Sequence, residues 1–393
     1  MHRRQPCSLC RLFIGSIFAL ATPILLLGCG SDNGNPSPMA TLTPTATATR
    51  TPTTPATSGF LQTNLVADIA GGAANTDPHL LNPWGVAYAP TGPFWVSDNH
   101  SGVSTLYDGS GSPFPTPTPL VVTIPAPAGS SDPAAPTGMV FNGTSDFAVT
   151  EGTTSAPSLF IFSTEDGTLS GWSQAVDVTN AILTVDNSST DAIYKGLALG
   201  SNTSGNFLFA TDFHNGRIDV FDKNFAPATL AGSFTDPTIP AGFAPFGIHN
   251  IGGSLYVTFA KQDEDKEDDE RGPGNGFVDV FDTNGIMMKR FASQGTLNSP
   301  WGIALAPASF GQFGNALLIG NFGDGRIGAF NAGTGAFLGQ LSNTLGVPIA
   351  IDGLWALTFG NGATAGSTNT LFFTAGPGDE EHGLFGALQA VSG

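Results

Sequence analysis

A short phrase, in which large and small apolar residues alternate after a glycine, returns six times along the chain. It reads Trp84-Gly85-Val86-Ala87-Tyr88, Thr137-Gly138-Met139-Val140-Phe141 and Lys195-Gly196-Leu197-Ala198-Leu199. It continues as Phe246-Gly247-Ile248-His249, Trp301-Gly302-Ile303-Ala304-Leu305 and Trp355-Ala356-Leu357-Thr358-Phe359, with Ala356 in the glycine position of the last copy. Successive small residues are 53, 58, 51, 55 and 54 positions apart. A second apolar run follows each phrase, at 94–97, 147–150, 207–211, 255–259, 316–319 and 371–374. After a polar turn comes a third, as at 217–222, 277–282 and 326–330. A weaker fourth precedes the next phrase, as at 120–124, 230–234 and 337–341. Short runs of this kind bounded by turn residues predict strands.

Four strands in a unit of roughly 50 residues match the size of a propeller blade. Six units predict an all-β, six-bladed β-propeller over residues 60–393; a five- or seven-bladed ring or a β-solenoid would also use such a repeat. The sixth unit supplies three strands, while an orphan strand at 61–67 precedes the first phrase. It is expected to become the fourth strand of the sixth blade, closing the ring and covering a sheet edge. First strands crowd the axis of a propeller, so glycine and alanine there let neighbouring blades approach.

Composition agrees with this picture and adds a location. Only 11% of residues are Asp, Glu, Lys or Arg, against about 25% in ordinary soluble domains. The formal net charge of −18 repels phosphate backbones, which excludes nucleic acid as an expected partner. Residues 1–28 read as a lipoprotein signal peptide: Arg3-Arg4, then an apolar stretch too short to be an ordinary span. Leu26-Leu27-Gly28-Cys29 resembles the bacterial lipobox, which predicts lipidation at Cys29 and membrane attachment. Gly30 follows where an Asp would suggest inner-membrane retention, so the outer membrane or cell surface is expected if the source is Gram-negative. The three cysteines are Cys7, Cys10 and Cys29, so no disulfide is expected in the folded body. Residues 29–59, rich in Thr and Pro after the lipidated Cys29, cannot bury enough apolar surface to fold and are expected to act as a disordered tether.

The units resemble the NHL class of propellers through Pro83-Trp84-Gly85-Val86-Ala87, Val96-Ser97-Asp98 and Arg217-Ile218-Asp219-Val220-Phe221. More narrowly, the chain resembles an uncharacterised family of exported bacterial proteins, many with PEP-CTERM sorting tails. Ser97-Asp98-Asn99-His100-Ser101-Gly102, Thr211-Asp212-Phe213-His214-Asn215-Gly216 and Gly320-Asn321-Phe322-Gly323-Asp324-Gly325 carry that likeness, with Asn82-Pro83-Trp84-Gly85 and His382-Gly383-Leu384-Phe385-Gly386. The resemblance implies the propeller fold and export, and no established activity. No hydrophobic helix follows the last strand, so the lipobox is expected to take over anchoring.

Candidate chemistry concentrates on the face that carries the loops between second and third strands. Trp84, Asp98, Asp212, His214, Trp301, Asn321 and Trp355 are expected around the channel mouth there. Their ordinary alternatives are turn chemistry and packing between blades. Glu151, placed at the end of the second unit's second strand, and His249, in a slot that is small in the other units, are the candidate catalytic groups. The run from Lys261 to Arg271 holds seven acids; Asp263, Asp265, Asp268 and Asp269 are candidate Ca²⁺ ligands or simply a solvated loop. No nucleophile elbow, HExxH or P-loop is present. The leading expectation is therefore a membrane-anchored, monomeric, non-catalytic module that binds a protein or glycan. The alternative is a metal-dependent lactonase- or esterase-like hydrolase using Glu151, Asp212, His249 and Asn321 at the axis. Haem or quinone chemistry has no support, because no CxxCH motif is present.

Overall fold

The computed structural model describes residues 58–391. The signal peptide, Cys29 and the tether up to residue 57 lie outside the described residues. Six sheets, antiparallel apart from a short parallel pairing of Val66–Ala67 with Asn75–Thr76 in the sixth, form in chain order from the six phrases and make a six-bladed β-propeller. The first strands are Pro83–Tyr88, Pro136–Phe141, Tyr194–Asn202, Phe243–Ile251, Pro300–Leu305 and Leu354–Phe359. Each is the inner edge of its sheet.

Ring closure follows the expectation. Gly59–Ala67 pairs antiparallel with Leu384–Val391, from Gly59 opposite Val391 to Ala67 opposite Leu384. The first and last strands of the described residues thus share the sixth blade, where the ladder hides an edge that would otherwise be open to other chains.

The glycines of the phrase earn their positions through close approach. A Cβ on Gly247 would lie 2.4 Å from the Trp301 carbonyl oxygen, and one on Gly302 the same distance from that of Trp355. Gly85 and Gly138 meet the next blade equally tightly, at Thr137 O and Leu197 N. Buried threonines fasten the same seams. The hydroxyls of Thr137, Thr211 and Thr374 donate to the carbonyls of Tyr194, Phe246 and Trp84 in the following blade, at 2.6–2.7 Å. Between blades, apolar clusters such as Phe94, Phe372 and Phe385 fill the wedges.

Two blades depart from the expected pattern. In blade 2 the run at 147–150 does not supply the second strand. It enters a separate hairpin, Ala148–Glu151 with Thr154–Pro157, and the second strand is Phe160–Thr164. Blade 3 has three strands, and 230–234 is not one of them. Pro227, which has no N–H to donate, precedes that segment, and the pairing stops after two bonds, Asp222 N–H to Ala226 and Ala228 N–H to Val220.

Candidate functional site

Antiparallel order gives the axis two unlike ends. First strands begin at one end, where the turns between second and third strands also gather. They finish at the other.

At the starting end the axis is stoppered by aromatic rings. Trp84 and Trp355 stack at a centroid distance of 3.5 Å, and Phe322 stacks on the opposite face of Trp355 at 3.9 Å. Trp301 meets both tryptophans edge-on, while Phe213 and Phe246 complete the cluster. Trp84, Trp301 and Trp355 are each at most 4% exposed. They are a packed stopper and not platforms around an open mouth, a correction to the expected binding rim. Their burial follows from position: each sits directly before the small residue that lets the blades converge.

Against the stopper lies Lys195, a residue not singled out in the sequence although it fills a slot held by Trp, Thr or Phe in the other units. It is 1% exposed. Its Nζ reaches Glu165 Oε1 at 2.5 Å and Asp268 Oδ1 at 3.2 Å, and sits 5.2 Å from the centre of the Trp84 ring. Burial alone would pull the ammonium pKa down, but the carboxylates of Glu165, Asp268 and Glu380 more than offset it, so the group stays charged. Asn99 donates to Glu165 at 2.9 Å, and Asn82 donates to Glu380 at 2.7 Å while accepting from the Trp355 indole at 3.0 Å. Burial, with repulsion from Glu165, raises the Glu380 carboxyl to about 7 despite Asn82 and Lys195.

The acidic run proves to be a strap over this cluster. Lys261 pairs with Glu270 at its base at 2.6 Å, and Gln262 donates to the Phe213 carbonyl at 2.6 Å. Arg271 lies over the Phe322 ring at 4.4 Å and faces Glu380 at 3.7 Å. The proposed Ca²⁺ ligands do not converge. Asp263 accepts from the Glu267 amide, Asp265 is exposed, Asp268 turns to Lys195, and Asp269 buries an unpartnered Oδ2. No group of three or more acidic, His or Cys side chains placed to hold a metal occurs among the described residues. These residues do not fit a preformed calcium site.

The axial hydrolase set also comes apart. Glu151 is exposed on the inserted hairpin, away from the second strand to which it was assigned. Asp212 is buried, with Asn215 and Arg217 as partners, and burial raises its pKa. Asn321 accepts from the Asn298 amide and donates to Thr296. Asp98 is fully buried beside Thr105, and burial raises its pKa well above the usual range. His214 is half-buried, with Nδ1 unpartnered. Hydrogen bonding within its own turn accounts for Asp212, and bonds to the 296–298 connection account for Asn321.

The finishing end of the axis is open. A cavity of about 560 Å³ runs up between all six first strands. Tyr88, Phe141, Leu199, Leu305 and Phe359 surround it, with His249 and Asn250 from blade 4. None of its lining side chains carries a formal charge at neutral pH. His249 Nε2 lies 3.0 Å from the Trp301 carbonyl and must donate to it, which leaves Nδ1 as an acceptor. Burial lowers the imidazole pKa to about 4, keeping the ring neutral.

No protein-family model matches the chain. Among solved structures, virginiamycin B lyase from Staphylococcus aureus is similar at 16% identity and a TM-score of 0.49, over 85% of this chain and all of that one. Uncharacterized protein L690 of Acanthamoeba polyphaga mimivirus is 33% identical over 325 residues, 80% of this chain and 82% of the relative. Uncharacterized protein R648 of the same virus is 34% identical over 331 residues, 82% of this chain and 78% of the relative. At that identity and coverage, the chain belongs to the family that includes the uncharacterized mimivirus proteins R648 and L690.

Proposed function

We propose that this protein is an exported lipoprotein, attached to a membrane through lipid on Cys29, whose propeller binds a protein or glycan without transforming it. The anchor rests on Leu26-Leu27-Gly28-Cys29. The binding role rests on one observation above all: the axis is sealed where charged groups gather and open where they do not. At the sealed end Lys195 is held by Glu165 and Asp268 against the aromatic stopper, so these charged groups do not face the axial cavity. At the open end a cavity of about 560 Å³ falls within the roughly 300–1,000 Å³ typical of ligand sites. Resemblance to the exported bacterial family supports the same compartment.

Expression of the full chain and of Cys29→Ser in a bacterial host, with palmitate labelling and membrane fractionation, tests the anchor. Wild type should label and sediment with membranes, while Cys29→Ser should do neither. Equal behaviour of the two would remove the lipoprotein reading. Turnover of lactone or ester substrates that survives Glu165→Gln and His249→Phe but is abolished by EDTA would replace binding with metallohydrolysis.

A further inference from the structure

We infer that the axial cavity is a saccharide site, which takes an uncharged sugar unit with one face on an aromatic wall and a hydroxyl on His249. The inference rests on the binding-module reading and names its ligand.

The cavity has two unlike sides. Three residues after the small residue of each phrase, blades 6, 1 and 2 place Phe359, Tyr88 and Phe141. These blades are neighbours in the ring, so the three half-buried rings line one side of the cavity. Each is braced from behind by a buried ring: Phe310, Phe94 and Phe160 respectively. Across the axis, blades 3, 4 and 5 place Leu199, Asn250 and Leu305, with His249 one position deeper. A braced aromatic wall facing a hydrogen-bonding side suits a rigid molecule with one C–H-rich face and hydroxyls on its edge. A pyranose ring has that shape.

Polar chemistry points the same way. His249 commits Nε2–H to the Trp301 carbonyl, so Nδ1 calls for a donor such as a sugar hydroxyl. Each first strand is a sheet edge, so its outward N–H and C=O groups also face the axis and serve the remaining hydroxyls. Charge sets the limit. No lining side chain could neutralise an ionised ligand, and an uncompensated charge loses its hydration on entry. A carboxylate sugar would also meet the field of a chain with formal net charge −18. The cavity opens at the end of the propeller where Gly59–Ala67 starts.

Isothermal titration of the purified full chain tests this, with short uncharged oligosaccharides of glucose, galactose and mannose as probes and the corresponding hexuronates as charged controls. Expected is saturable binding of at least one neutral sugar, with hexuronates at least tenfold weaker. His249→Phe should weaken binding about tenfold, the loss of one hydrogen bond left unmade. Leu305→Trp, at a 46% exposed rim position where the larger ring meets solvent and not packed core, should abolish it with circular dichroism and melting unchanged. Neutral-sugar binding that both variants leave intact would overturn the cavity assignment while keeping the module reading. Absence of binding by any neutral sugar would overturn the saccharide assignment. Capture of a protein partner that Leu305→Trp leaves unaffected would then show the module reading standing without it.

Discussion

The two ends of the propeller axis are built from the same six strands yet solve opposite problems. Where the strands begin, aromatic rings from five blades fill the axis and a buried lysine is clasped by carboxylates beneath an acidic strap. Where they finish, the same strands diverge around an uncharged cavity with a neutral histidine. The repeat fixes backbone spacing at both ends. What differs is the side chain placed before the glycine and the one placed three residues after it. A large ring before the glycine points into the narrow end and plugs it, while a ring after it finds a wider circle and lines it.

The comparison breaks first at the stopper. Trp355→Ala removes a ring stacked on both Trp84 and Phe322, together with its bond to Asn82. It should cost about 3–5 kcal/mol in denaturant unfolding, whereas Leu305→Ala at the open rim should cost under about 1 kcal/mol. Lys195→Met comes next, because it strands Glu165 and Glu380. Loss of one partner from a buried pair costs about 3–5 kcal/mol, discounted here because Asp268 is largely solvated. Adding Glu165→Gln and Glu380→Gln should restore most of that loss; no recovery would mean the cluster is not held by charge. Gly247→Ala forces a methyl to 2.4 Å from the Trp301 carbonyl, and overpacking of that kind costs about 1–3 kcal/mol.

A pH titration separates the ends. Glu380 has a folded pKa near 7, above the usual carboxyl value, so the folded state holds the proton longer than the unfolded chain. Its contribution is full below the ordinary carboxyl range and is lost as pH rises through about 7. His249 runs the other way: its folded pKa near 4 means that its contribution is full above the ordinary imidazole value and fades as pH falls toward 4. Melting curves of Glu380→Gln should therefore show a smaller fall between pH 5 and 7 than wild type, and those of His249→Phe a smaller rise. Smallest of all, Asp263→Asn and Asp265→Asn should shift stability by less than about 0.5 kcal/mol, and EDTA or Ca²⁺ should leave the melt in place.

Much of the ring was legible because repetition multiplies a weak signal. One Trp-Gly pair means little, but six small residues at near-equal spacing betray the crowded axis, and the orphan strand at 61–67 betrays the closure. The run at 147–150 misled because strand propensity reports that a segment is extended, not which sheet it joins, and Phe160–Thr164 offers an equally good second strand. The sealed end was hardly legible at all. Lys195 meets Glu165 and Asp268 across 30 and 73 positions, and no local pattern announces such partners. Its one trace in the sequence is a lysine where other units place an aromatic or a threonine. The strap was visible as an acidic run, open to reading as metal ligands or as a solvated loop, whereas the structure pairs Asp268 with Lys195 and Glu270 with Lys261.

Thiol labelling tests the asymmetry most directly. All three cysteines precede residue 30, so they can be replaced by serine and single cysteines placed at each end, as Leu305→Cys on the open rim and Ser299→Cys beneath the strap. Leu305 is 46% exposed and Ser299 fully buried. Leu305→Cys should react with a maleimide as a free surface thiol does, and Ser299→Cys orders of magnitude more slowly until Lys195→Met loosens the strap. Equal rates at the two positions in the otherwise unaltered chain would contradict the asymmetry.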